Sequence, residues 1–189
     1  MKHPRLIIVH GPPASGKSSL GETLAQELSV PLVSKDVIKV KLFDTYGWKD
    51  RAASKQAGQA AYEILDYIIE EQLRVGHSIM VEGTFHAEFA NPKFQRWQEQ
   101  YNVKFIQIGC TADADILRKR FKERATTNNR HVSHIEGVDG LKNLEILIER
   151  GVVPFSIPGE IITIDTTDFS KVDTTAIIHR IHDLLHAAD

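Results

Sequence analysis

The sequence predicts an α/β fold in which a parallel sheet is covered by helices on both faces. Two observations carry this. Short apolar runs alternate with longer stretches of helical periodicity along the whole chain, and a sheet built that way must be parallel, with its connections on its faces. The first apolar run also passes through a glycine-rich loop straight into a helical segment, the opening of a strand–loop–helix unit. With 189 residues, 42% hydrophobic and 25% charged, the chain has enough apolar surface for one domain with a core. We therefore expect a single domain over 1–189.

Each element is legible in order. The first strand is Arg5–His10, and the helix after its loop carries Leu20, Leu24 and Leu28. Pro31–Ser34 is a short second strand. Asp36–Phe43 is helical, and a turn follows at Tyr46-Gly47-Trp48. Residues 51–75 place Ile64, Leu65, Ile68, Ile69 and Leu73 on one helical face, and Gly76 stops them. The third strand, Ser78–Val81, ends in Glu82-Gly83-Thr84-Phe85. Helix Pro92–Tyr101, strand Val103–Cys110 and helix Ala112–Ala125 come next. A polar loop over 126–140, a helix over 139–150, strand Ile161–Asp165 and a closing helix over 170–187 complete the chain.

The loop after the first strand reads Gly11-Pro12-Pro13-Ala14-Ser15-Gly16-Lys17-Ser18, followed by Ser19. This is the G-x-x-x-x-G-K-[ST] pattern of a P-loop, in the strand–loop–helix context that gives it meaning. Its glycines let the backbone wrap a phosphate chain, and its N–H groups and the helix N-terminus point at the anion. Lys17 is expected to reach the β- and γ-phosphates, and the Ser18 hydroxyl to ligate Mg²⁺.

In a parallel sheet the ligands gather at the carboxyl ends of the strands. Asp36, after the second strand, could accept the proton of an attacking hydroxyl or hold that hydroxyl in line; alternatively Asp36 or Ser34 could be the N-cap of a helix over Val37–Phe43. Glu82, ending the third strand, could bind Mg²⁺ through water or touch substrate, or cap the next turn. Arg118, Lys119, Arg120, Arg124 and Arg130 crowd the fourth helix and the loop after it. They could steady a migrating phosphoryl group, or form a solvated basic face paired with Asp113, Asp115 and Glu123. Arg120 and Arg124, four apart, share a face. The polar loop reads as a mobile lid containing His131 and His134. His179, His182 and His186 share a face of the last helix, which fits an exposed polar surface better than a metal site. His10 packs as a neutral ring beneath the loop. Phe43, Tyr46, Trp48, Phe85, Phe89 and Trp97 serve as acceptor-pocket lining or as helix-to-sheet core.

The composition narrows the partners. A net charge of −2 argues against a dedicated nucleic-acid binder. A single cysteine, Cys110, excludes an intrachain disulfide and suits a reducing cytoplasm. The N-terminal apolar run is too short for a signal-peptide core, and no stretch reaches membrane-spanning length.

The loop Gly11–Ser18, Asp36, Glu82-Gly83-Thr84-Phe85 and Arg120-x-x-x-Arg124 before a polar segment together resemble the P-loop small-molecule kinases. These include adenylate, shikimate and gluconate kinases, chloramphenicol phosphotransferases and zeta toxins. The resemblance runs over nearly the whole chain. It implies a three-layer fold with strand order 2-3-1-4-5 and a lid over about 118–140. It implies that residues 11–19 bind ATP with Mg²⁺, that Asp36 faces the acceptor, that Arg120 lies near adenine or phosphates and Arg124 on the phosphates. Thr166 and Thr167, after the fifth strand, would line the adenine through their backbone, and Arg130 would be a lid arginine. The implied activity is transfer of the γ-phosphoryl group of ATP to a small-molecule hydroxyl, by a monomer or homodimer. The acceptor motifs of adenylate and shikimate kinases are absent. Alternatives are a polynucleotide 5′-kinase or RNA-processing ATPase, which needs a basic aromatic channel, and a nucleotide-dependent switch protein; a GTPase is excluded because no N-K-x-D element is present.

Overall fold

In the computed structural model, which describes residues 3–47, 50–126 and 137–187, five strands lie parallel in one sheet. They are β1 (Arg5–His10), β2 (Leu32–Ser34), β3 (Ile79–Gly83), β4 (Lys104–Thr111) and β5 (Gly159–Asp165), in the order β2-β3-β1-β4-β5. The helices are α1 (Lys17–Leu28), α2 (Lys35–Tyr46), α3 (Arg51–Arg74), α4 (Ala87–Tyr101), α5 (Ala114–Thr126), α6 (Gly137–Arg150) and α7 (Thr174–His186). This is the three-layer architecture and strand order expected from the sequence. Trp48, Arg130, His131 and His134 lie outside the described residues.

The pleat explains the layers. Along β1, Leu6 and Ile8 face one side, and Ile7 and Val9 the other. Leu6 and Ile8 pack with Leu65 and Ile69 of α3 and Phe94 and Trp97 of α4. Ile7 and Val9 pack with Leu20 and Leu24 of α1 and Ile181 and Leu185 of α7. Both faces of the central strand are fully covered, so it reads as an uninterrupted apolar run. A third, small cluster of Ala14, Phe121 and Leu144 seats α5 and α6 over the glycine loop.

Two differences from the sequence expectations have local causes. Helix α4 begins at Ala87, with Pro92 inside it rather than at its start. Proline at the sixth position removes one helical N–H, and the burial of Ala90, Phe94 and Trp97 offsets that loss. The closing helix does not begin at 170: residues Phe169–Lys171 form a separate 3-10 turn, and α7 starts afresh where the Asp173 carboxylate accepts the Ala176 N–H at 2.9 Å.

One buried polar group bears on the site. Gln107 of β4 is fully buried, and its side-chain oxygen accepts the Phe155 N–H at 2.7 Å. Its amide nitrogen donates to the Phe155 carbonyl at 3.3 Å. The pair ties the segment between α6 and β5 to the sheet, so Phe155 stands fixed above the carboxyl end of β1.

Candidate nucleotide and acceptor site

The glycine loop connects β1 to α1 at the centre of the sheet. Gly11 has φ +150°, and a Cβ there would lie 2.4 Å from the Cys110 carbonyl oxygen. Gly16 has φ +77°, and a Cβ there would lie 2.8 Å from the Phe169 ring. Both positions need glycine for space as well as for backbone conformation. Ala14 also sits in the left-handed region, at φ 67°, a strained geometry that the packing of Phe121 and Leu144 around it sustains.

Lys17 and Glu82 meet beneath the loop. Lys17 Nζ is 3.7 Å from Glu82 Oε1, with side chains 7% and 1% exposed. The Ser18 hydroxyl donates to Glu82 Oε1 at 3.3 Å, and the Ser34 hydroxyl to Oε2 at 2.6 Å. Glu82 is thus held by one ammonium and two hydroxyls, a buried carboxylate with a counter-charge and one hydrogen bond on each oxygen. The turn-cap alternative for Glu82 does not describe this geometry. Ser34 occupies the N-cap position of α2, yet its hydroxyl serves Glu82 instead of the helix. Asp36 therefore falls in the first turn of α2, where a carboxylate is favoured by the helix dipole, and is not the N-cap. Lys35 Nζ lies 3.3 Å from Asp36 Oδ1 and 5.1 Å above the Tyr62 ring. The Tyr62 hydroxyl donates to the Thr84 carbonyl at 2.5 Å. Burial raises the Tyr62 pKa well above its ordinary value, and the Asp36, Asp66 and Glu82 carboxylates add to the effect.

These residues fit MgATP. The Ser18 hydroxyl and Glu82 carboxylate offer paired oxygens of the kind a hard divalent cation takes with water. The Ser15 hydroxyl is buried with no hydrogen-bond partner among the described residues, a polar atom left over inside the loop that would cradle phosphate.

On the opposite flank, α5 meets the end of β5. Arg120 donates to the carbonyls of Thr166 and Thr167 at 2.8 and 3.0 Å. The Thr166 hydroxyl lies 2.7 Å from the Ser15 carbonyl and 2.8 Å from the Thr111 carbonyl, and its one hydrogen serves both. Thr166 is fully buried, so its side chain is a strut joining the glycine loop to the fifth strand. Thr166→Val keeps the shape and deletes the hydrogen. It is expected to cost about 1–3 kcal/mol by leaving a buried carbonyl unpaired, and to weaken ATP binding. Thermal unfolding and calorimetric titration with MgATP measure the two effects; an unchanged Tm with unchanged affinity contradicts the strut.

The arginine cluster divides. Arg118 makes a two-pronged contact with Glu145 of α6 at 2.9 and 2.7 Å and another with Asp115 at 2.9 Å, which fastens α5 to α6. For Arg118 the paired-face alternative describes the geometry, although its main partner is Glu145. Lys119 and Glu123 form an exposed pair at 4.0 Å. Arg124 lies exposed in the last turn of α5.

In front of the loop lies a cleft of about 50 Å³, with His10, Pro12, Thr84, Phe85, Arg150 and Phe155 among its walls. The His10 ring packs on Phe155 with centroids 4.7 Å apart, and burial lowers its pKa to about 4. His10 is therefore neutral, as expected from its place under the loop. Its acid titration opposes folding. The unfolded chain takes up this proton near the ordinary value of about 6.5, whereas the folded one resists it down to about 4. Stability is expected to fall as pH drops through that window, by up to about 3 kcal/mol. His10→Phe is expected to flatten the urea-denaturation profile between these pH values, and an equally steep profile contradicts the assignment.

Of the aromatic candidates, Phe85 lines this cleft, Phe43 and Trp97 are buried, and Tyr46 and Phe89 are exposed. On α7 the His182 and His186 rings stack at 4.2 Å, and among the described residues no group of three or more His, Cys, Asp or Glu is placed to hold a metal. Arg150, Thr84, Tyr62, Lys35 and Phe155 were not singled out for the site from sequence, except Thr84 as part of the segment ending the third strand.

The central strand, glycine loop and helix, with Lys17, Ser18 and an acidic third strand in a 2-3-1-4-5 sheet, define a P-loop nucleotide-binding protein of the kinase-like type. The chain belongs to the AAA domain family, whose profile matches residues 6–140. No curated protein matches the sequence. Among solved structures, a provisionally assigned kinase from Chloroflexus aurantiacus J-10-fl is 31% identical, with a TM-score of 0.87 over 97% of this chain and 98% of that one. A gluconokinase from Sinorhizobium meliloti 1021 shares 18% identity and a TM-score of 0.54, covering 98% of each chain. Kti12 of Chaetomium thermophilum, in complex with ADP-AlF3, shares 14% identity and a TM-score of 0.67, covering 98% of this chain and 100% of that one. The last two likenesses are of fold. Among the described residues no helix is long and apolar enough to cross a membrane.

Proposed function

We propose that the protein is an ATP-dependent kinase that transfers the γ-phosphoryl group to a hydroxyl of a small-molecule acceptor, as a cytoplasmic enzyme of one domain. The observation that carries this reading is the juxtaposition of the Lys17–Ser18–Glu82 cluster with a separate cleft in front of the loop. One place suits a triphosphate and the other an acceptor. The similarity to the Chloroflexus kinase supports it.

Residues 11–19 bind the phosphates through backbone N–H groups, and Lys17 spreads positive charge over the β- and γ-phosphates. Ser18 and Glu82 would hold Mg²⁺, which when bound would neutralise charge on the phosphate oxygens. Lys17 exchanges its contact with Glu82 for the nucleotide. Asp36, in the first turn of α2 and outside the lining of the cleft, would turn to the acceptor hydroxyl, orient it and receive its proton. The new acceptor O–P bond forms as the β–γ bridging bond breaks, and ADP carries away the electron pair. Arg120 holds the Thr166-Thr167 segment along the adenine, and Arg124 approaches the phosphates. The lid that the resemblance implies over about 118–140, of which 127–136 lie outside the described residues, would close and exclude water while α5 stays anchored through Arg118 and Arg120, so that transfer outcompetes hydrolysis.

The test is a screen of purified protein with MgATP against nucleosides, sugars, aminoglycosides, chloramphenicol, shikimate and sugar nucleotides. Acceptor-dependent ADP release, above a control without acceptor, supports the kinase; ADP release that no acceptor alters opposes it. The likeness to Kti12 favours a second reading, in which ATP turnover drives a change of state and no small acceptor is phosphorylated. That reading predicts release of inorganic phosphate in every assay.

A further inference from the structure

We infer that the alcohol taken by this site carries a negative charge, a carboxylate or a phosphate, and that Arg150 receives it. The inference rests on the kinase reading above and names the class of acceptor.

The cleft in front of the loop has an unbalanced charge. Among the residues that line it, the titratable ones are His10 and Arg150, and none is a carboxylate. His10 is neutral. Arg150, the last residue of α6, makes one polar contact among the described residues, from Nη1 to His86 Nδ1 at 3.4 Å. An arginine has donors only, so in this contact His86 Nδ1 is the acceptor. The contact consumes one of the five guanidinium N–H groups and brings no negative charge.

The arginines of the neighbouring helix stand in contrast. Arg118 is paired with Asp115 and Glu145, and Arg120 is spent on two backbone carbonyls. Arg150 alone of these three reaches the cleft, and its planar fork suits a two-oxygen anion.

The walls favour an anion over other acceptors; Asp36, the carboxylate assigned to the reacting hydroxyl, lies outside them. A polyamine sugar would find no carboxylate among the lining residues. A neutral polyol needs several side-chain acceptors for its hydroxyls. Instead, Phe85 and Phe155 meet edge to face at 6.2 Å, and Val152, Val153 and Leu147 continue an apolar surface. A carbon skeleton can lie on that surface with one charged group at Arg150 and a hydroxyl turned toward the loop.

The test is calorimetric titration of the protein loaded with Mg·ADP, so that an added phosphate cannot report on the glycine loop. The probes are matched sets: glycerol against glycerate and glycerol 3-phosphate, glucose against gluconate and glucose 6-phosphate, and kanamycin as the polycation. We expect at least one anionic member to bind at least tenfold tighter than its neutral parent. Arg150→Gln is expected to weaken that binding tenfold or more, with Arg150→Lys between, and the loss to fall on the acceptor rather than on Mg·ADP. Comparison of the carboxylate and phosphate arms identifies the anion. Binding of neutral or cationic probes as tightly as the anions, no binding of any anion, or full anion binding by Arg150→Gln overturns the inference. Anions that bind through Arg150 yet are never phosphorylated from ATP leave the inference standing and remove the kinase reading. Phosphorylation of neutral sugars alone does the reverse.

Discussion

Lys17→Ala is expected to lower phosphoryl transfer by at least about 10²-fold, the usual scale for removing a preorganised charge from the group that transfers. The same substitution should also destabilise the protein, because Lys17 is the ammonium within 4 Å of a carboxylate that is almost completely buried. Stripping one partner from a buried pair costs about 3–5 kcal/mol, a figure that the Ser18 and Ser34 hydroxyls on Glu82 reduce here. The two effects separate in Lys17→Ala/Glu82→Gln. The neutral amide no longer needs the ammonium, so the double variant should regain part of the lost Tm while remaining inactive. Turnover near the original rate in either variant contradicts the assignment of Lys17, and a Tm that the second substitution lowers further contradicts the pairing.

Asp36→Asn is expected to reduce kcat by about 10²-fold or more, with little change in the KM for ATP. The substitution keeps shape and hydrogen-bonding reach but removes the site for the proton. Asp36 is partly exposed in the first turn of α2, and its hydrogen-bonding neighbour Lys35 is mostly buried. Loss of the carboxylate therefore leaves Lys35 without that counter-charge, which should lower stability modestly as well. Steady-state kinetics at saturating ATP, with acceptor varied, decides the role. A loss confined to ATP affinity moves Asp36 to nucleotide binding, and unchanged kcat removes it from the chemistry.

The parts of this arrangement that the sequence shows are those set by local chain geometry. The loop Gly11–Ser18 announces itself because a phosphate cradle needs glycines, a lysine and a hydroxyl at fixed spacing. The strands announce themselves because a doubly covered sheet needs continuous apolar runs. Glu82 and Asp36 were visible as carboxylates at strand ends. Their partners were not, since Ser34 reads as a helix cap until the sheet sets it in register with Glu82. Arg118 and Arg120 look alike in sequence. What distinguishes them is Glu145, which lies 27 residues away, and the carbonyls after β5, some 46 residues away. Arg150 carries no local signal, because a cation at the end of a helix is ordinary for the dipole alone. Its meaning comes from the cleft, which three separate segments build.

The most direct measurement is the fate of the γ-phosphate. The protein would be incubated with γ-labelled MgATP and the anionic and neutral alcohols above, and the labelled products separated. The kinase account predicts label covalently attached to an acceptor hydroxyl, one equivalent for each ADP formed, and none with Lys17→Ala. Label that appears only as inorganic phosphate, at a rate that no acceptor changes, would contradict it.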